Sequence, residues 1–446
     1  MRSTLPLLAL AAFAGAADLP REMQIVNQQP VPVSAKQELT IKARNDQDVR
    51  NRELWYSQFD GSAWGNWQKH GLNFARDTPI TWSPPEGHWQ IYVRIEEVSG
   101  MTMPAPGADT APSSQFIIDR TPPAVAVTFP AEGAHLRGGA DYKITWNVAD
   151  LHLHSTPVTI RWSRSGDDQY VVIAENIPNS GEFTWTTPRD MTANGRLQVL
   201  AADKAGNIGS SANGNITIDA VAPSRNILGP AISASRDISL AIRTQDAGPS
   251  GIAAVRLWFS NDDGANWNAG PELTSEPFES VPWRAPSDGL FQLYLVATDR
   301  AGNANAEPKG AAASQFRVLV DTESPTLSLA AAIGIVDPQK AADAPVRRIF
   351  KPGDRVNVQF SVQDPNVRAD GISVLFQPQQ GGRWEVVAKG LAPDQPYVFT
   401  IPNIATTSAR IKVQAVDVAG NQGEVTGAET FSIDNQVETG AVDVDL

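Results

Sequence analysis

The 446-residue chain contains no cysteine. Disulfide staples, thiolate metal sites and thiol redox chemistry are therefore excluded, and each domain must hold itself together by packing. Histidine is scarce, at five residues. No H-E-x-x-H, G-x-S-x-G or P-loop pattern occurs, so the common hydrolase and nucleotide signatures are missing. Positive charge is in deficit: 36 Lys and Arg stand against 49 Asp and Glu, a formal net charge of −13. A surface of that sign repels nucleic acid and anionic lipid, and neither is expected as a partner. Long apolar runs are missing beyond the first residues. The run in "MRSTLPLLALAAFAGAA" falls short of the ~20 residues a membrane span needs. Its Arg2 and the small residues Ala14-Gly15-Ala16 read as a secretory signal over 1–17, and no span is expected after its removal. Sustained 3.6-residue periodicity is also absent, which argues against helices.

What the chain does have is a repeat. An Asp closes a strand at Asp46, Asp150, Asp246 and Asp364. A polar hairpin follows an aromatic-rich strand in "LWYSQFDGSAW", "IRWSRSGDDQY", "LWFSNDDGANW" and "VLFQPQQGGRW". Aromatic-x-x-Pro comes next, at Trp82, Trp185, Trp283 and Phe399, and then "AADKAGN", "ATDRAGN" and "AVDVAGN", with "IEEVSGM" as a degenerate first copy. Each unit ends in a strand running into an Asp, at Asp119, Asp219, Asp321 and Asp434, so the intervals are 100, 102 and 113 residues. The longer last interval holds an insertion around "DPQKAADAPVRRIF". Ordered markers at this spacing mean tandem units, each with its own core. The expected organisation is a signal peptide at 1–17, repeats at 22–120, 121–221, 222–323 and 324–436, and an acidic tail at 437–446.

Each unit reads as β. "KITWNV", "ISLAIRT", "VRLWFS" and "RIKVQAV" alternate apolar and polar residues and are rich in Val, Ile and aromatics. About seven short strands in ~100 residues, without helices, predict an immunoglobulin-like sandwich. The Gly and Asn of "AGN" and the "DDG" turns supply the positive φ that tight hairpins require. The fold class is thus all-β, four tandem immunoglobulin-like (fibronectin type III-like) β-sandwiches. The markers "ITW", "WTTP", "AADKAGN" and "IDAVAP" resemble the bacterial Ig-like and fibronectin-type-III-like repeats of exported surface proteins, over nearly the whole chain after the signal. The first repeat departs most from the pattern, with Glu97 in place of Asp and Met101 in place of Asn.

The stretch "SNDDGANW", Ser260 to Trp267, resembles the Asp-box of sialidases. In that motif Asp and Ser bond the turn backbone and Trp packs beneath the hairpin. Sialidase boxes recur at ~40–50 residues on propeller blades, whereas the equivalents here, Ser57, Ser163, Ser260 and Gln377, lie about one domain apart. A glycosidase also needs convergent carboxylates beside the scissile bond, and no such pair recurs outside the turns. The hairpin therefore reads as a folding element, and no enzymatic activity is expected.

Two binding patterns stand out. The first repeat holds Trp55, Trp64, Trp67, Trp82 and Trp89 of the chain's 12 tryptophans. Trp67 and Trp89 match no repeat marker. Either they form a further packing layer or they stand exposed and stack on sugar faces. The second pattern is carboxylate. In a sandwich, the loops after the second and sixth strands meet at the end where the chain enters. The Asp closing one repeat should then meet two from the next, giving Asp119, Asp150 and Asp203; Asp219, Asp246 and Asp299; and Asp321, Asp364 and Asp417. Such trios suit Ca²⁺, a hard cation taking 6–8 oxygen ligands. They also suit turns, where Asp needs no metal. Resemblance to giant bacterial Ig-like adhesins implies calcium-stiffened junctions. The expected function is an exported adhesion or scaffold module, periplasmic, on the cell surface or extracellular, with an envelope or surface protein or polysaccharide as partner. Carbohydrate binding through the first repeat is the alternative.

Overall fold

The computed structural model describes residues 30–43, 47–330, 334–335, 348–393 and 395–436. The expected signal, the tail at 437–446, Asp46 and most of the insertion in the fourth repeat lie outside them. Two compact units are present. One comprises Met1–Ala134, Asp141–Thr186 and Asn194–Ile216; the other comprises His135–Ala140, Thr187–Ala193 and Thr217–Leu446.

Among the described residues the regular structure is strand, apart from a 3-10 turn at Ala311–Ala313. Each strand pairs only with strands of its own repeat. In the first repeat, Val33–Ser34, Ser114–Ile118, Gly87–Glu97, Val49–Phe59 and Gln68–Ala75 form one sheet in that order, and Leu39–Ile41 pairs with Ile80–Trp82 in the other. The third repeat has the same large sheet and one more strand in the small one. Ile232–Ser233, Phe316–Val320, Gly289–Asp299, Ile252–Ser260 and Asn268–Leu273 lie beside a three-stranded sheet of Ser224–Leu228, Asp237–Gln245 and Ser280–Arg284. The second repeat follows the third, while in the fourth the small sheet is split, Thr326–Leu329 pairing with Phe360–Gln363 and Arg355–Val358 lying between Gly334–Ile335 and Tyr397–Thr400. This is the tandem immunoglobulin-like, fibronectin-III-like sandwich.

The period-2 pattern places the core. Along Asp237–Gln245, Ile238, Leu240 and Ile242 point inward and their neighbours face solvent. Along Gly289–Asp299, Phe291, Leu293, Leu295 and Ala297 are fully buried. These positions bury one face per strand, and a one-residue slip would expose them all.

Near one end of each sandwich three positions exchange volume. Eight residues before Glu97, Asp203, Asp299 and Asp417 stand Trp89, Gly195, Phe291 and Ala409. In the first repeat Trp89 packs on Trp82 (ring centroids 5.3 Å) and on Tyr56 (5.9 Å). In the third, Phe291 packs on Trp283 (5.3 Å) and Phe259 (6.4 Å). In the second, Gly195 makes room for Trp162, which lies 5.2 Å from Trp185. In the fourth, Phe376 meets Phe399 at 5.0 Å and Phe431 at 6.2 Å, in the core cluster that also holds Ala409. A large residue at one site is matched by a small one at another, as close packing requires.

Candidate metal centres

The predicted trios converge. In each of Asp119/Asp150/Asp203, Asp219/Asp246/Asp299 and Asp321/Asp364/Asp417, one carboxylate oxygen per residue lies within 4.8 Å of the other two. The first and last member of every trio are buried, and the middle one is half-buried. The origin is topological. The repeat's final strand delivers the boundary Asp, the loop after Asp141–Ala149, Asp237–Gln245 or Phe360–Gln363 of the next repeat delivers the middle one, and the end of Thr192–Asp203, Gly289–Asp299 or Thr406–Asp417 the last. The donors are three carboxylate oxygens, the ligand type that a hard cation such as Ca²⁺ takes.

Each trio is tied by a residue whose role the sequence pattern did not disclose. Asn207 donates its side-chain Nδ2 to Asp203 Oδ2 at 2.7 Å and to the Asp119 carbonyl at 2.9 Å, while its backbone N–H donates to Asp203 Oδ1 at 2.8 Å. Asn303 does the same to Asp299 and the Asp219 carbonyl. Asn421 does so to Asp417 and the Asp321 carbonyl. The Asn of D-x-A-G-N is therefore the staple that fastens the end of one repeat to the next. The expectation that it supplies positive φ is corrected. The left-handed turn falls to Gly206, Gly302 and Gly420, at φ 91, 88 and 96°, and the Asn residues are outside that region. In the first repeat the staple position is Met101, which is 67% exposed. The recurrence of Asn at a place where Gly alone satisfies the turn is the signal that could have revealed the side chain's task.

The boundary carboxylates also cap the linker. Asp119 Oδ1 accepts from Thr121 N–H, Asp219 Oδ1 from Val221 N–H and Asp321 Oδ1 from Glu323 N–H. Burial pushes the Asp119 carboxyl above its ordinary value, and the charges of Asp203 and Asp150 add to this, against the Thr121 bond and His152. Burial likewise raises Asp364, with Asp321 and Asp417 contributing and the Asn366 N–H opposing. At these two centres the folded chain holds like charges close together, and a proton or a cation relieves them.

The two candidate sugar-stacking tryptophans are not free platforms. Trp89 is 4% exposed, packs edge-on against the stacked pair of Tyr56 and Trp82, and donates Nε1–H to the Pro85 carbonyl at 2.9 Å. The exposed reading is corrected for this residue: the small first-repeat sheet needs a large ring at that position to fill its end. Trp67 is half-buried. It meets Tyr92 edge-on at 6.2 Å and 64°, and its Nε1 donates to the Gly107 carbonyl. Trp267 meets Tyr294 at 6.1 Å and 64° and donates to the Gly310 carbonyl. Trp67 thus has a counterpart after all. The first hairpin is longer, so the seat is taken by Trp67, while Trp64 packs on Phe59 and His88.

The Asp-box-like hairpin is a folding device in the geometry observed. Gly264 N–H donates to Ser260 Oγ at 2.9 Å, and Ser260 Oγ–H to Asp262 Oδ1 at 2.7 Å. Asn266 donates to both Asp262 oxygens, and the resulting bonds hold the Asp262 carboxyl down at about 2. Asp263 and Gly264 carry the positive φ of the turn.

Residues 129–213 match the family described as the Kre9/KNH-like N-terminal Ig-like domain. No sequence among the curated proteins matches the chain. Solved structures similar to it include the fibronectin(III)-like modules of Clostridium thermocellum CbhA, at 16% identity over 44% of this chain and 94% of that one, with a TM-score of 0.29. A tetra-tandem repeat from the extending region of a large adhesion protein is 14% identical over 88% and 94%, with a TM-score of 0.30. A structure of a 1.5-MDa bacterial ice-binding adhesin is 14% identical over 71% and 99%, with a TM-score of 0.26. Among the described residues no helix is long and apolar enough to cross a membrane.

Proposed function

We propose that the chain is an exported, non-enzymatic module of the bacterial envelope that acts in adhesion or as a scaffold, with Ca²⁺ bound at the junctions between its repeats. The repeats at 22–120, 121–221, 222–323 and 324–436 serve in this reading as separately folding units, and a surface protein or polysaccharide is the partner. The observation that carries the reading is the threefold recurrence of one constellation, in which three carboxylates from both sides of a repeat boundary approach within 4.8 Å. An ion would offset the like charge held at such a junction and stiffen it beyond what the Asn staple provides. That behaviour suits a protein that must be exported unstiffened and then hold its form in a millimolar-calcium exterior. The sugar-binding alternative has lost its best supports, since Trp89 is buried and Trp67 is seated as Trp267 is.

Hydrogen exchange on the whole chain, with 5 mM Ca²⁺ or with chelator (a concentration about tenfold above a Kd of ~0.5 mM typical of extracellular modules), tests the ion. Amides of Thr121, His152 and Asn207 should gain protection, by about tenfold where the site is filled. Exchange that superimposes in the two conditions at all three junctions removes calcium from the reading.

A further inference from the structure

We infer that the three junctions are not equivalent, and that the middle one is closed by the protein's own hydrogen-bond donors in the place where the outer two would use a cation. The inference rests on the calcium reading for the outer pair, but its own evidence is the bonding of the middle one.

At Asp219/Asp246/Asp299 every carboxylate oxygen already accepts a hydrogen bond. Asp219 Oδ1 takes Val221 N–H, and its Oδ2 takes Ser250 N–H at 3.0 Å and Ser250 Oγ at 2.6 Å. Asp246 Oδ1 takes Gly248 N–H, and its Oδ2 takes Gly251 N–H at 2.7 Å. Asp299 is filled by Asn303. Ser250 is 2% exposed, so its bond to Asp219 is made away from water, where a charge-assisted bond counts most. The loop itself lies on the carboxylate: a Cβ at Gly248 would fall 2.1 Å from both Asp219 oxygens. "DAGPSG", residues 246–251, is thus shaped to lay backbone donors over the Asp219 carboxylate, and only glycine at 248 lets it come so close.

The corresponding loops do less. In "DLHLHS" the one donor to the trio is His152 N–H, to Asp150 Oδ1, and among the described residues none donates to Asp119 Oδ2 or Asp150 Oδ2. At the third junction Asn366 donates its side chain to Asp321 Oδ2 and its N–H to Asp364 Oδ1, and among the described residues Asp364 Oδ2 has no donor. The series runs from two open oxygens at the first junction to one at the third and none at the middle. A carboxylate oxygen with no donor on it offers Ca²⁺ more lone-pair capacity than one already bonded, and N–H and O–H donors laid over the same space point positive hydrogens where the cation would sit. The middle junction therefore stays locked at any calcium level, while the flanking ones respond.

The test is hydrogen exchange on the full chain and on Ser250→Ala, each with chelator and with CaCl₂. In the wild type, amides at Val221, Gly251 and Asn303 should exchange at the same rate in both conditions. In Ser250→Ala, which keeps the Ser250 N–H and the loop's backbone, these amides should exchange about tenfold faster in chelator, for the loss of one buried charge-assisted bond. Gly248→Ala, which drives the loop off Asp219, should do the same by another route. Wild-type middle amides that gain as much protection from Ca²⁺ as those of the first junction overturn the inference. So does Ser250→Ala with unchanged exchange in chelator. If the outer junctions ignore Ca²⁺ while Ser250→Ala still loosens the middle one, the calcium reading falls and the self-closed junction stands.

Discussion

Exchanging volume between Trp162 and Gly195 offers a direct test of how the repeats fill the ends of their sandwiches. A Cβ placed on Gly195 would lie 2.0 Å from Trp162 Cη2, 2.5 Å from its Cζ2 and 3.0 Å from the Ile216 carbonyl oxygen. The ring cannot swing aside, because Trp162 is 4% exposed and packed on Trp185. Gly195→Ala by itself would gain ~0.4–1 kcal/mol through the unfolded chain. Overpacking costs ~1–3 kcal/mol. With backbone on one side and a large ring on the other, the upper part of that range applies, and Gly195→Ala should be destabilising by about 1–2 kcal/mol net. Trp162→Phe leaves a void and should cost about 1–3 kcal/mol. Combined, the two substitutions recreate the pair found in the core cluster of the fourth repeat, Phe376 and Ala409. The double variant should then be more stable than the sum of the singles by about 1–2 kcal/mol, the coupling expected of side chains in contact. Urea unfolding of the full chain, followed by hydrogen exchange in the peptides of Leu153–Ser163 and Thr192–Asp203, reads the second repeat alone. Strict additivity, or a Gly195→Ala chain as stable as the parent, would refute the idea that these positions trade volume.

Asn421→Ala removes the donor to Asp417 Oδ2 and to the Asp321 carbonyl, both on buried residues. Two stranded acceptors should cost roughly 2–4 kcal/mol, seen in calorimetry as an earlier transition for the fourth repeat, whereas Met101→Asn, at an exposed position without a boundary carbonyl described beside it, should stay within about 0.5 kcal/mol. Acidification in chelator should firm the first and third junctions. Asp119 and Asp364 are raised in the folded chain, so their stabilising contribution is present below the ordinary 3.8 and is lost as pH rises through their folded values. The Ser260–Trp267 hairpin runs the other way: Asp262, held at about 2, supports it above 3.8 and releases it as pH falls through about 2. Exchange rates corrected for intrinsic pH dependence check both signs, and a first junction that loosens between pH 7 and 4 would contradict the first.

The sequence by itself determined the β architecture and the convergence of the carboxylates. Period-2 burial needs no partner to be read, because "DISLAIRTQ" carries its inner face in Ile238, Leu240 and Ile242. The trios follow from the same cause: once each repeat is a sandwich, the loop after a strand such as Asp237–Gln245 and the end of one such as Gly289–Asp299 share an end, and the entering chain brings the third Asp to them. Only the tertiary structure decided which oxygens in those trios are already occupied. The corresponding loops, "DLHLHS" and "DPNVRA", carry at the matching positions neither the Gly nor the Ser of "DAGPSG", so no periodic marker announces that Gly248 and Ser250 cover Asp219. It also decided the fate of the tryptophans. Whether Trp89 is a platform or a core ring depends on the space beside Trp82 and Tyr56, and Trp67 occupies the seat of Trp267 only because its hairpin is longer. Pattern along the chain fixes which face of a strand is buried. What a side chain meets on that face is set by residues distant in sequence, and that is a property of packing alone.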